Sequence, residues 1–133
     1  MLDFDTYIMY ITDMENQEEI KLFDKKFTKD DIRKIASLTF IEMAKAVIDI
    51  NQKVIAIGGE LHADAEAVLL DNGSRQPDLW GINLYPDKPS DHLIEYTSLI
   101  NIRPSIGNRT QEISDSRVKN SIKQIVFEML EDK

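Results

Sequence analysis

Two short apolar runs in the middle of the chain constrain its fold more than any other feature. They cover residues 46–50 and 54–57, are rich in valine and isoleucine, and are joined by Asn51-Gln52-Lys53. Runs of this length and composition favour strands, and so short a connection joins antiparallel neighbours. The sequence therefore predicts a β-hairpin, to which the remaining elements must add.

A first helix is predicted to begin at Thr28. Thr28 and Asp31 have the spacing of a capping box, in which each side chain accepts a hydrogen bond from the other residue's main-chain amide. The apolar residues that follow recur three and four positions apart, which predicts a helix with one buried face. This stripe consists of Ile32, Ile35, Ala36, Phe40, Met43 and Val47.

Two further helices are predicted later in the chain. Residues 62–70 are rich in alanine and leucine, and the Asn72-Gly73 pair after them suits a left-handed C-cap. The last helix can be capped by Ser114 or Asp115. It carries the most regular apolar stripe of the chain, formed by Val118, Ile122, Ile125, Val126, Met129 and Leu130.

Alternating residues predict two more strands. In residues 79–85 the side chains of Trp80, Ile82 and Leu84 would share one face. Residues 93–103 have the pattern of a long strand with an apolar and a polar side. Residues 20–23 could form a first core strand.

The predicted order is helix, two strands, helix, two strands, helix. Short loops favour hairpins, so this order indicates an α+β fold: a mainly antiparallel sheet of about four to five strands, with three helices covering one face. Residues 20–133 are predicted to form a single α+β domain. Residues 1–19, with an apolar run at positions 7–11, are predicted to be an N-terminal extension.

Composition excludes several classes of protein. The chain of 133 residues has no cysteine, which rules out disulfides, thiolate metal sites and a cysteine nucleophile. Its net charge of -8 disfavours a general nucleic-acid or anionic-membrane binder. Residues 1–31 hold nine acids and four bases, so the rest is close to balance and an anionic ligand stays possible. With no signal-like or membrane-spanning segment, cytoplasmic localisation is expected.

The most unusual segment spans residues 60–66. If its backbone is extended, Glu60, His62 and Asp64 point the same way, as acid/base or divalent-metal chemistry requires. If it is helical, Glu60 pairs with Asp64 and His62 with Glu66. The alternative is that the acids only favour a helix N-terminus and that His62 is a hydrogen-bonding core residue. We predict His62, Glu60 and Asp64 as candidate catalytic residues, and assign no metal and no cofactor, although these three are the candidates for a metal.

A second polar segment, residues 101–109, contains two arginines, a proline and a glycine. Arginine presents a planar fork of donors that suits phosphate or carboxylate, and Gly107 lets main-chain amides approach the same anion. The alternative is that either arginine pairs with acids inside the protein. The predicted ligand-binding residues are Arg103, Arg109, Asn101, Asn108 and Ser105.

Three functions remain open at this point, and the sequence leaves undecided whether the protein is an enzyme. The first is a small anionic-ligand-binding or hydrolytic site built from residues 60–66 and 101–109. The second is a protein–protein interaction or regulatory module, a homodimer or a binder of another protein, that uses a sheet edge or the run at positions 7–11. The third, less expected, is local nucleic-acid binding by Arg75, Arg103, Arg109 and Arg117.

Three strings in the chain resemble one family. They are AIGGELHADAE at 56–66, DLWGINLYP at 78–86, and SLINIRP at 98–104 with GNR at 107–109. In this order they resemble a family of small prokaryotic proteins catalogued as a domain of unknown function. The resemblance covers roughly residues 20–131 and implies one intact domain, but it implies no role for any residue.

Overall fold

The computed structural model describes residues 20–133, and its elements follow the predicted order with one strand in front. The strands are β1 (Ile20–Phe23), β2 (Ala44–Asp49), β3 (Val54–Gly58), β4 (Leu79–Leu84) and β5 (Ile94–Glu95). The α-helices are α1 (Lys29–Ala36), α2 (His62–Asp71) and α3 (Ser116–Met129). The predicted N-terminal extension lies outside the described residues, and the division at residue 19 stays a prediction.

The predicted hairpin is confirmed and lies at the centre of a five-stranded antiparallel sheet. The strand order is β1-β3-β2-β4-β5, so β2 pairs with β3 on one side and with β4 on the other. The buried Asp49 closes the hairpin turn, because its Oδ1 accepts from the amides of Asn51 and Gln52, both at 2.9 Å. The α+β class, the three helices and the antiparallel sheet are therefore as predicted.

The helix caps are also as predicted, but α1 is shorter than its stripe. Thr28 Oγ1 accepts from the Asp31 amide at 3.0 Å, and Asp31 Oδ2 accepts from the Thr28 amide at 2.9 Å. However, α1 ends before Phe40, and the prediction that its stripe continues through Met43 to Val47 is wrong. The reason is that residues 44–49 pair with strands on both sides, and this pairing outweighs a helical spacing of side chains.

Helices lie on both faces of the sheet, so the prediction that they cover one face is wrong. Alternate strand residues point to opposite faces, and β2 and β3 are buried at nearly every position, which requires cover on both sides. The first face is packed by α1 and α3, and its strand residues include Ala46, Ile48, Ile55, Ile57, Trp80, Ile82 and Leu84. The second face is packed by α2, through Ala65 and Leu69, against Val47, Ala56 and Leu79.

The predicted long strand at 93–103 is also wrong, because β5 contains only Ile94 and Glu95. After β5 the chain leaves the sheet. The side-chain amide of Asn101 then hydrogen-bonds the main chain of β4, where a neighbouring strand would otherwise pair. Its Oδ1 accepts from the Gly81 amide at 2.8 Å, and its Nδ2 donates to the Gly81 carbonyl at 2.9 Å. Gly81 permits this approach, since a Cβ there would lie 2.5 Å from the Cβ of Ser98.

Within residues 20–133, no helix combines the length and the apolar character needed to cross a membrane.

Candidate functional site

A pocket of about 460 Å³ opens on the α2 face of the sheet, and we call it the His62 pocket. It lies where α2 begins, over the ends of β2 and β4, and the segment after β5 closes its other side. Apolar side chains form much of its wall, including Met43, Leu61, Leu99 and Ile100. Its polar members are Lys45, His62, Asn83, Thr97, Ser98 and Gln111.

His62 is the first residue of α2 and is turned inward, with 7% of its surface exposed. Its Nε2 lies 2.8 Å from the carbonyl oxygen of Ile82. Because a carbonyl only accepts, Nε2 carries the hydrogen, and Nδ1 has none while the ring is neutral. The pKa of His62 is lowered, chiefly by burial and further by the charge of Lys45, although the hydrogen bond with Ile82 and the nearby Asn83 side chain oppose the shift.

Asn83 contributes a buried acceptor beside this histidine. Its Nδ2 donates to Glu95 Oε1 at 2.7 Å and to the Thr97 carbonyl at 3.4 Å. Both Nδ2 hydrogens are thus engaged, while Oδ1 has no hydrogen-bond partner among the described residues. A buried polar atom without a partner costs stability, so Oδ1 is an acceptor that a further donor in the pocket would satisfy.

Lys45 brings a positive charge to the lining of the His62 pocket. Lys45 is paired across the sheet with Asn83, and its Nζ lies 5.1 Å from the centre of the Phe40 ring. Within residues 20–133 no carboxylate forms a salt bridge with Lys45. No side chain of the described residues caps α2 at Leu61, and the first residues of this helix line the pocket.

The predicted catalytic residues do not converge. The chain turns at Gly58 and Gly59, both at positive φ, and is helical from His62, so the extended alternation of acids and histidine is absent. On a helix Asp64 lies about 200° around the axis from His62. Glu60 and Asp64 are both exposed, and in residues 20–133 no group of three or more His, Asp or Glu side chains is placed to hold a metal.

Arg103 is directed into the protein rather than toward a ligand. Its surface is 9% exposed, and its guanidinium donates to the carbonyls of Gln76 at 2.9 Å and Leu79 at 2.7 Å. The same group stacks on Trp80, 4.1 Å from the ring centre. Burial lowers the pKa of Arg103, while the nearby Glu66 raises it. Arg103, like Asn101, therefore satisfies main-chain groups along β4 and the residues just before it.

The other predicted ligand-binding residues are split between interior and surface. Asn108 is buried, and its Nδ2 donates to three carbonyls while its Oδ1 accepts from the amide and hydroxyl of Ser114. Asn101 is fully buried, whereas Ser105 and Arg109 are exposed. The structure thus does not bring Arg103 and Arg109 together as an anion clamp, and their role in binding stays a prediction.

Sequence reasoning assigned no site role to three polar residues of the His62 pocket, Lys45, Asn83 and Ser98. Lys45 gave a usable signal, because it is a lysine between two alanines of a strand that is otherwise mostly apolar. Ser98 gave none, since only the fold brings it to Gly81.

The fold and the pocket define the class: a small α+β protein whose antiparallel sheet is covered on both faces, with one pocket wall made by the start of a helix. Over residues 21–129 the sequence matches the family model described as "Protein of unknown function (DUF5674)". The chain belongs to this family, which confirms the resemblance seen in its strings. No curated protein and no solved structure matches the chain.

Proposed function

We propose that the protein binds a small amphipathic anion in the His62 pocket. The observation that carries this proposal is Lys45, a cation without a carboxylate partner in the described part of the chain, in the lining of a largely apolar pocket. Such pockets typically hold a ligand's apolar body and orient it with a few polar groups. Lys45 and the first residues of α2 would hold the anionic group.

The proposal keeps the predicted anionic ligand but changes the residues that bind it. Residues 60–66 contribute His62, whereas residues 101–109 supply supports for β4. We favour binding over hydrolysis because the hydrogen bond of the His62 ring within residues 20–133 is to the Ile82 carbonyl, and because Glu60 and Asp64 face solvent. A histidine without a carboxylate or a nucleophile beside it lacks the usual arrangement for acyl transfer.

Calorimetric titration with octane-1-sulfonate tests the proposal, since its head group stays charged at every accessible pH. The uncharged 1-octanol has the same apolar chain. We expect octanesulfonate to bind at least about tenfold more tightly than octanol, because one well-placed charge pair contributes that much. Equal affinity for the two, or no binding of octanesulfonate, would contradict the proposal.

The matched variants are Lys45→Met and Lys123→Met. Lys123 is exposed on α3, on the far side of the sheet. We expect Lys45→Met to bring octanesulfonate down to the affinity of octanol, and Lys123→Met to leave it unchanged. An equal loss in both variants would indicate a nonspecific charge effect and overturn the assignment of Lys45.

A second candidate function is self-association through the loop between α1 and β2. Ile41 there has φ 72° and sits in a turn closed by the Glu42 amide and the Phe40 carbonyl, yet its side chain is 75% exposed. A β-branched residue at positive φ is strained, and strain that places apolar surface in solvent favours a contact role. The simplest occupant is a second copy of this chain, meeting the same loop across a two-fold axis.

Sedimentation equilibrium on the full chain tests this second candidate. We expect a dimer that Ile41→Asp dissociates and Ile106→Asp, at an exposed isoleucine on another loop, does not. A monomer at all concentrations would contradict it.

A further inference from the structure

The His62 pocket contains a buried acceptor, Asn83 Oδ1, that has no donor within residues 20–133. The Nε2–H of His62 is already donated to the Ile82 carbonyl, and the Asn83 side chain lines the same pocket. Because both Nδ2 hydrogens of Asn83 are used by Glu95 and Thr97, the atom left for the ring is Oδ1, an acceptor. A neutral imidazole has one N–H for two acceptors, whereas an imidazolium has two.

Two effects disfavour protonation of the ring in the free protein, namely burial and the positive charge of Lys45 on β2. Three acids lie on the elements around the pocket. Glu60 lies beside Lys45, Glu95 on β5 is bonded to Asn83, and Glu66, one turn along α2, lies near Arg103. The strand β4 and the segment from Thr97 to Gln111 face the pocket with neutral groups.

We propose that an anion bound in the His62 pocket is taken up together with a proton on His62. The inference rests on the proposed function and adds its regulation. The anion offsets the charge of Lys45 and attracts the imidazolium, and the second N–H then satisfies Asn83 Oδ1. Binding and protonation therefore favour each other equally, as linkage requires. Affinity for an anion of fixed charge rises as the pH falls through the titration of His62.

The chain offers an internal control, because its only other histidine, His92, is exposed and lies outside the pocket. NMR of the two Cε1–H resonances between pH about 8 and about 5 follows both rings in one sample. With saturating octanesulfonate we expect the pKa of His62 to rise by about 1–3 units, the effect of an opposite charge nearby. The His92 curve should stay in place. Calorimetry should show affinity at least about tenfold higher at the acidic end.

The outcomes separate this inference from the proposed function. If octanesulfonate binds but the His62 titration does not move, the inference is wrong and the binding site stands. If octanesulfonate does not bind at either end of the pH range, both are wrong. In Asn83→Leu, which removes the acceptor and keeps the shape, we expect binding near pH about 8 to persist and its pH dependence to weaken. An unchanged pH profile in a folded Asn83→Leu protein would remove Asn83 as a positioning residue.

Discussion

The two faces of the sheet use the same strands in different ways. On the α1 and α3 face, the alternate residues of β2, β3 and β4 are all apolar and two helices seal them from solvent. On the α2 face, one ten-residue helix covers only part of the sheet, and Lys45 and Asn83 stand where the other face has alanine and isoleucine. The face packed by α1 and α3 therefore contributes most of the core. The face packed by α2 is less completely packed and contains the pocket.

The largest expected effect is a difference between the two faces in their contribution to the free energy of unfolding. Ile48→Ala on the sealed face should lower the free energy of unfolding by about 2–5 kcal/mol, because it opens a cavity among packed side chains. Leu99→Ala, at the pocket rim and 70% exposed, should change it by less than about 0.5 kcal/mol. Urea unfolding of both variants measures this. Equal losses would mean that the two faces contribute alike.

A smaller loss of stability is expected at Gly81, where the segment after β5 contacts β4. Gly81→Ala would place a Cβ 2.5 Å from Cβ and 2.6 Å from Oγ of Ser98, so the segment after β5 must move. We expect a loss of about 1–3 kcal/mol in the free energy of unfolding. The double variant Gly81→Ala/Ser98→Gly should recover part of it, since the clashing side chain is gone. No recovery would show that contacts other than Ser98 set the cost.

The two arginines of residues 101–109, the predicted anion-binding segment, should differ in their contribution to stability. Arg103→Met leaves the carbonyls of Gln76 and Leu79 without their donors and should cost about 1–3 kcal/mol of stability. Arg109→Met, on the surface, should cost less than about 0.5 kcal/mol. Thermal unfolding measures both, and octanesulfonate titration of Arg109→Met should give the affinity of the unaltered protein. A weaker affinity in Arg109→Met would indicate that the anion binds at residues 101–109 instead of the His62 pocket.

The smallest expected effect is on the pH dependence of stability. The pKa of His62 is lowered in the folded chain, so below its ordinary value of 6.5 the unfolded chain binds the proton more readily. Without ligand, stability should therefore fall as the pH drops from 6.5 toward the folded pKa. Denaturant melts at several pH values should show a shallower fall in His62→Gln than in the unaltered protein. The same slope in both would exclude His62 as the source.

The fold was more predictable from the sequence than the site because its signals are local. The capping box at Thr28, the hairpin around Asn51 and the stripe of α3 each depend on residues close in the chain, and all three are confirmed. The strand expected at 93–103 failed because the side chains of Asn101 and Arg103 replace main-chain pairing, and no alternation of residues indicates that. The pocket escaped prediction for a related reason, since Lys45, Asn83 and Ser98 meet only when β2, β4 and the later loop are assembled.

The most direct test of the His62 pocket is a map of amide chemical shifts during titration with octanesulfonate. The account predicts that the resonances of Ala63, Asn83 and Ser98 move together and saturate at one ligand per chain, while those of Ser105, Gly107 and Arg109 stay in place. Shifts confined to residues 105–109, with the pocket amides unmoved, would contradict it.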